Sequence, residues 1–214
     1  MRRTYTSFLL CLVVAGGTLR WLYRGHYLEG WDAVDFALAL HEFDLAKHQP
    51  HLPGYPVYIA LAKSFQWAIR PTVMQDTTAL ILPGIVFSTL AVIPIALLAS
   101  HWTKRCITPP PPPNENDRSC YATKSSLSPY LNDATSGIVL WAGVTAASLY
   151  LLSPGLWLQA EKPLSDALGC SLLPWVALTL TYALYPSAKR SSSLWWVGTT
   201  GALMGLVLGT RLSY

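Results

Sequence analysis

Residues Thr77–Ser100 read TTALILPGIVFSTLAVIPIALLAS, a stretch without a single Asp, Glu, Lys or Arg. About 20 apolar residues in a row suffice for a helix to cross the hydrocarbon core of a bilayer, so this segment predicts a membrane span. Its prolines, Pro83 and Pro94, are compatible with that, because neighbouring helices or water can satisfy the carbonyls they leave free. The same pattern recurs on both sides: Ser7–Gly17, Gly137–Ala160 and Ser193–Thr210 are also uncharged. Of the 214 residues, 52% are hydrophobic and 12% charged, about half the charged share of a soluble domain. These proportions exclude a soluble enzyme, a secreted disulfide scaffold and a disordered chain. They predict an all-α, multi-pass integral membrane protein.

Six apolar segments follow from this reading: Ser7–Tyr23, Gly54–Ile69, Thr77–Trp102, Gly137–Leu152, Asp166–Tyr185 and Ser193–Thr210. The first begins behind Arg2 and Arg3 and lacks a clean small-x-small cleavage site, which predicts an uncleaved signal-anchor helix. Arg20, one turn from its end, is expected to snorkel to the interface. The four cysteines (Cys11, Cys106, Cys120, Cys170) match no metal spacing and read as reduced packing residues.

Lys and Arg accumulate in cytoplasmic loops, and this bias orients the spans. Lys104, Arg105, Arg118 and Lys124 assign the insert 103–136, with its run Pro109–Pro113, to the cytoplasm; Lys189 and Arg190 do the same for the next loop. The composition of that insert favours polyproline II and disorder. The chain must then re-enter once between span one and Lys104, yet Gly54–Ile69 and Thr77–Trp102 share that return. The shorter segment is therefore predicted to be re-entrant, tilted or interfacial. On this topology the loop 24–53, the segment Glu161–Asp166 and Arg211 meet at one non-cytoplasmic face. A full crossing by Gly54–Ile69 would separate them.

Polar chemistry concentrates in 24–53, which holds five of the eleven acids and four of the five histidines. Within Trp31–Leu45 the residues Trp31, Val34, Leu38 and Leu45 recur near a helical period, the mark of an amphipathic helix on a membrane surface. Asp32, Asp35 and Glu42 share another stripe, which suits either a general-base cluster, with a divalent metal as a possible companion, or an ordinary solvated face. His48-Gln49-Pro50-His51-Leu52-Pro53-Gly54-Tyr55-Pro56 is a stiff turn; its imidazoles suit a phosphate, a metal or a plain connector. Lys162 and Asp166, four apart, are spaced for a helical ion pair. Arg211 follows a span whose glycines (Gly198, Gly201, Gly205, Gly209) are typical of close helix packing, and an arginine there requires an anion or an exit to the interface.

Gly30–Leu40 with His48–Pro56 resembles the first external loop of GT-C membrane glycosyltransferases, nearest the branch of protein O-mannosyltransferases and lipid A aminoarabinose transferases. Lys162-Pro163-Leu164-Ser165-Asp166 and Gly209-Thr210-Arg211-Leu212-Ser213 resemble that branch in the same order. The resemblance implies that residues 1–214 form the N-terminal part of a GT-C transmembrane domain, from a family whose members are much longer. It implies a transferase that moves a sugar from a polyprenyl-phosphate donor to a glycan, lipid or protein acceptor at the external face of a bacterial inner or plasma membrane. Asp32 corresponds to the catalytic carboxylate. His48, His51, Lys162 and Arg211 are the candidates for the donor phosphate or acceptor, Asp166 a second acid shaping the site, and Asp35 an additional one. Leu52 stands where the family's His-Pro-Pro-type turn has proline, and Asp35 where relatives often carry another polar residue. The rival reading is a non-catalytic membrane protein, either a truncated or degenerate transferase or a transporter fragment. Transporters carry polar groups on broken helices at the midplane, whereas here they crowd one loop. Basic residues track loops instead of forming a patch, so no nucleic-acid partner is expected.

Overall fold

The computed structural model describes residues 2–69, 76–107, 128–185 and 193–210. Within them the chain is a bundle of helices: α1 (Arg2–Leu22), α2 (Trp31–His41), α3 (Pro56–Ile69), α4 (Asp76–Leu90), α5 (Val92–Ile107), α6 (Ser128–Leu151), α7 (Pro154–Ala160), α8 (Ser165–Leu184) and α9 (Ser193–Thr210). Three helical segments are long and apolar enough to cross a membrane: Thr4–Leu22, Asp76–Ile107 and Ser165–Leu184. A fourth is the pair Thr135–Leu151 and Pro154–Ala160, bent by 56°.

Local chemistry explains the breaks. Pro94 has no N–H for the Leu90 carbonyl, and α4 passes into α5 at that point. The two still form one 32-residue apolar segment. Pro154 occupies the first turn of α7, where a missing N–H costs nothing, and Ser153 turns the chain out of α6. The predicted Pro-rich linker is shorter than its composition implied, because α5 runs on to Ile107 and α6 starts at Ser128. Its central residues 108–127, with Pro109–Pro113, lie outside the described residues, as do Lys189 and Arg190.

Contacts define the two ends of the bundle. At one, the Tyr5 hydroxyl of α1 lies 3.4 Å from Ser100 Oγ of α5, which donates to the Val139 carbonyl of α6 at 3.1 Å. Arg105 stacks 3.7 Å over the Tyr185 ring at this end. At the other end, the Gly25 N–H donates to the Glu161 carbonyl at 2.9 Å, and Lys162 pairs with Glu29 at 2.8 Å. A side chain at Gly25 would meet that carbonyl, so the chain after α1 lies directly on the α7–α8 corner.

Helix α3 does not carry the chain between the ends. Its start meets α2 through Tyr55 and Phe36, whose ring centroids are 5.0 Å apart. Near its finish Gln66 donates to Asp76 Oδ1 at 3.1 Å, while His41, the last residue of α2, holds Asp76 Oδ2 at 2.8 Å. The α3 helix therefore lies beside α2, and α4 begins at the same end of the bundle as α2. The core under α2 contains Phe36, Leu40, Tyr58, Leu80, Leu168 and Val207. Tyr58, fully buried, donates its hydroxyl to the Leu80 carbonyl at 2.9 Å.

Several local expectations change. Helix α2 ends at His41, so Glu42 leaves the acidic stripe and binds Lys47 at 2.6 Å. The apolar stripe keeps the outward face expected of a helix on a membrane surface: Trp31 is 86% exposed, while the small and aromatic side of α2 (Ala33, Phe36, Ala37, Ala39, Leu40) packs on the bundle. Nothing lies within 4 Å of where a side chain would stand at Gly198, Gly201 or Gly205, and of that glycine series only Gly209 meets a neighbour, Val57. Among the described residues Cys11, Cys106 and Cys170 form no disulfide, and Cys11 and Cys106 are exposed, so packing does not explain those two. Arg20 does not snorkel; it is fully buried.

Candidate functional site

The site is built where the turn 48–56 folds back onto α2. Asp44 Oδ1 accepts from the Ala46 N–H at 2.9 Å and opens a single 3-10 turn, Leu45–Lys47. His48 closes it in the left-handed region at φ 56°. Asp44 and Gln49 then exchange backbone hydrogen bonds of 2.7 and 2.8 Å. Gly54 has φ 98°, and any side chain there would meet Leu45, so both conformation and space call for glycine. The turn thereby presents His51 to the first two turns of α2.

His51 sits between two carboxylates. Its Nε2 is 3.9 Å from Asp32 Oδ1, and its Nδ1 is 3.3 Å from Asp35 Oδ2. The second approach is within charge range but off the hydrogen-bonding direction, and Nδ1 makes no hydrogen bond among the described residues. Nε2 also lies 3.1 Å from the Tyr55 hydroxyl, and Phe36 supports both rings, with centroids 5.7 Å from His51 and 5.0 Å from Tyr55. With the imidazole proton on Nδ1, beside Asp35, Nε2 accepts from Tyr55. The two acids differ in exposure: the Asp32 side chain is 62% exposed and that of Asp35 23%. Asp32 is thus the open carboxylate of the pair, whereas Asp35 is sheltered against the imidazole.

Among the described residues no group of three or more His, Cys, Asp or Glu is arranged to hold a metal ion.

The remaining candidates divide. Asp166, in the first turn of α8, and Lys162 belong to the same end of the bundle as α2. Lys162 is paired with Glu29. His48 is exposed at the end of the 3-10 turn. Arg211 lies outside the described residues, one position after buried Thr210. Sequence reasoning missed Tyr55, whose role depends on the backbone reversal at Gly54, and the link of His41, Asp76 and Gln66. It also missed the buried state of Arg20.

A family model for the protein O-mannosyl-transferase TMEM260 N-terminal domain matches residues 32–213. The match opens on Asp32 and spans every helix from α2 to α9. No curated protein and no solved structure matches the chain.

Proposed function

Because the chain belongs to the family of protein O-mannosyl-transferase TMEM260 N-terminal domains, a glycosyltransferase family, we propose that its His51 cluster is the reaction centre for transfer of a sugar from a polyprenyl-phosphate donor to an acceptor hydroxyl. In this reading the bundle is of the GT-C type, and its α2 end faces the non-cytoplasmic side of the membrane. The observation that carries it is the Asp32–His51–Asp35 arrangement, with one open and one sheltered carboxylate on opposite edges of a single imidazole.

Asp32 takes the proton from the acceptor hydroxyl as its oxygen bonds to the anomeric carbon. The bond from that carbon to the phosphate oxygen breaks, and polyprenyl phosphate leaves with the electron pair. His51, held by Tyr55 and Asp35, hydrogen-bonds the acceptor or the departing phosphate, whose growing charge needs donors already in place. Lys162 and Asp166 belong to the same end, and Arg211 is the further candidate for the donor phosphate.

The test is Asp32→Asn in the complete protein, assayed for mannosyl transfer from a polyprenyl-phosphate donor in membranes. Loss of turnover by about a hundredfold or more, with unchanged membrane insertion, is expected. Wild-type turnover in this variant would reject Asp32 as the base.

A further inference from the structure

Arg20 heads the large side chains wholly removed from solvent, at 0% exposure. Among the described residues none of its three guanidinium nitrogens has a hydrogen-bond partner. An unpaired buried cation is among the most unfavourable placements in a protein. Escape to the interface is open to α1, since Arg24, one turn on, lies 3.9 Å over the Trp21 ring and donates to the Trp21 carbonyl at 2.7 Å. Arg20 turns inward instead. Its guanidinium carbon lies 5.6 Å from the centroid of the Trp157 ring, and Tyr150 and Glu161 are its electrostatic neighbours.

Those neighbours are also short of partners. The Tyr150 hydroxyl and Glu161 Oε1 are buried without hydrogen bonds among the described residues, as is Arg24 Nε. Ser171 donates its own proton to the Ala167 carbonyl and turns its oxygen to the Tyr150 hydroxyl. An open guanidinium and one open carboxylate oxygen, Glu161 Oε1, thus meet beside the Tyr150 phenol where α1, α6 and α7 join, while the Glu161 carboxylate also holds Trp157. Tyr150, Trp157 and Glu161 are each partly exposed, so the junction reaches the surface.

A planar guanidinium with several open N–H groups matches an oxyanion, phosphate above all. A bare phosphate would be repelled by Glu161. A phosphate ester that also carries hydroxyls is not: its anionic oxygens accept from Arg20 and Tyr150, and a hydroxyl donates to Glu161. The Trp157 ring offers an apolar face for the C–H side of a sugar. We propose that Arg20, Tyr150, Trp157 and Glu161 bind the headgroup of a glycosyl-phosphate lipid at the α1–α6–α7 junction. This rests on the reading above that the donor is a lipid-linked sugar phosphate.

The test measures binding to the purified full chain in nanodiscs, using mannosyl-phosphoryl polyprenol, sugar-free polyprenyl phosphate and inorganic phosphate. Wild type is expected to bind both lipids, and inorganic phosphate far more weakly. Arg20→Gln is expected to weaken both lipids about 10- to 100-fold, the scale of one or two charge-assisted hydrogen bonds. Tyr150→Phe, which keeps the ring, weakens both a few-fold. Glu161→Gln weakens only the sugar-bearing lipid. If Arg20→Gln does not yield folded protein, the last two variants decide. Lipid binding that all three variants leave at the wild-type value overturns the inference and spares the donor reading. Wild type that binds neither lipid overturns both. Inorganic phosphate bound as tightly as the lipids shows a free-phosphate site and overturns the lipid assignment.

Discussion

His41 Nε2 lies 2.8 Å from Asp76 Oδ2, tying the last residue of α2 to the first residue of α4. The pair is largely exposed, 65% and 34%, so it adds little stability. Its significance is topological. With Gln66 on the other oxygen of Asp76, it shows that α3 leaves and returns at one end of the bundle. From there α4 and α5 run together to Lys104 and Arg105.

This topology is checked by labelling. Ala33 and Ser165 are buried at 0% and 3% exposure and make poor probes, whereas Tyr27 is 79% exposed and Cys106 is an exposed native thiol. In a chain with Cys11, Cys120 and Cys170 replaced by serine, Cys106 is expected to resist an impermeant maleimide in intact cells. With Cys106 replaced as well, Tyr27→Cys is expected to react. Reaction at both positions from outside would contradict opposite ends.

In the proposed reaction Tyr55 and Asp35 act on His51 and not on the acceptor. Tyr55→Phe removes one hydrogen bond to Nε2, worth about 0.5–1.5 kcal/mol, and is expected to lower kcat about three- to tenfold with the donor KM unchanged. Asp35→Asn is expected to behave similarly, far short of the loss in Asp32→Asn. Equal losses for the two aspartates would show that both take part in proton transfer.

Gly143 marks the close crossing of α5 and α6. A methyl group there would stand 2.8 Å from the Ala96 carbonyl oxygen and 2.9 Å from the Tyr5 hydroxyl. Overpacking of this kind costs about 1–3 kcal/mol, so Gly143→Ala is expected to lower Tm by about 2–10 °C. Gly201→Ala, facing open space, is expected to leave Tm unchanged or slightly raised. Thermal unfolding in detergent separates the two, and equal shifts would contradict the crossing.

Burial pushes the Glu161 carboxyl above its ordinary value of 4.5; hydrogen bonding to Trp157 and the Arg20 charge pull it partly back. A carboxyl raised in the folded state binds its proton more tightly there than when unfolded. It therefore contributes stability below pH 4.5 and loses that contribution as pH rises through the raised value. Glu161→Gln, permanently neutral, is expected to flatten the fall in Tm across that window. Parallel Tm profiles for the two proteins would show that Glu161 is not burdened by its surroundings.

Local composition was enough to specify the solvent and the fold class. Thr77–Ser100 and its fellow stretches contain so little charge that only a helical bundle in lipid satisfies their backbones. It also singled out 24–53 as the chemical region and Asp32 as the leading acid, because charge density and motif order are one-dimensional properties. What it left open depends on which residues distant in the chain become neighbours. Periodicity placed Asp32, Asp35 and Glu42 on one stripe, but α2 stops at His41 and His51 arrives between the first two acids only through the reversal at Gly54. Charge counting left Arg20 free to snorkel. Whether a side chain turns to water or inward depends on the partners across the bundle, and Tyr150, Trp157 and Glu161 come from more than a hundred residues downstream. The tertiary structure alone made that choice, since burial is a property of packed surfaces and not of any stretch of sequence.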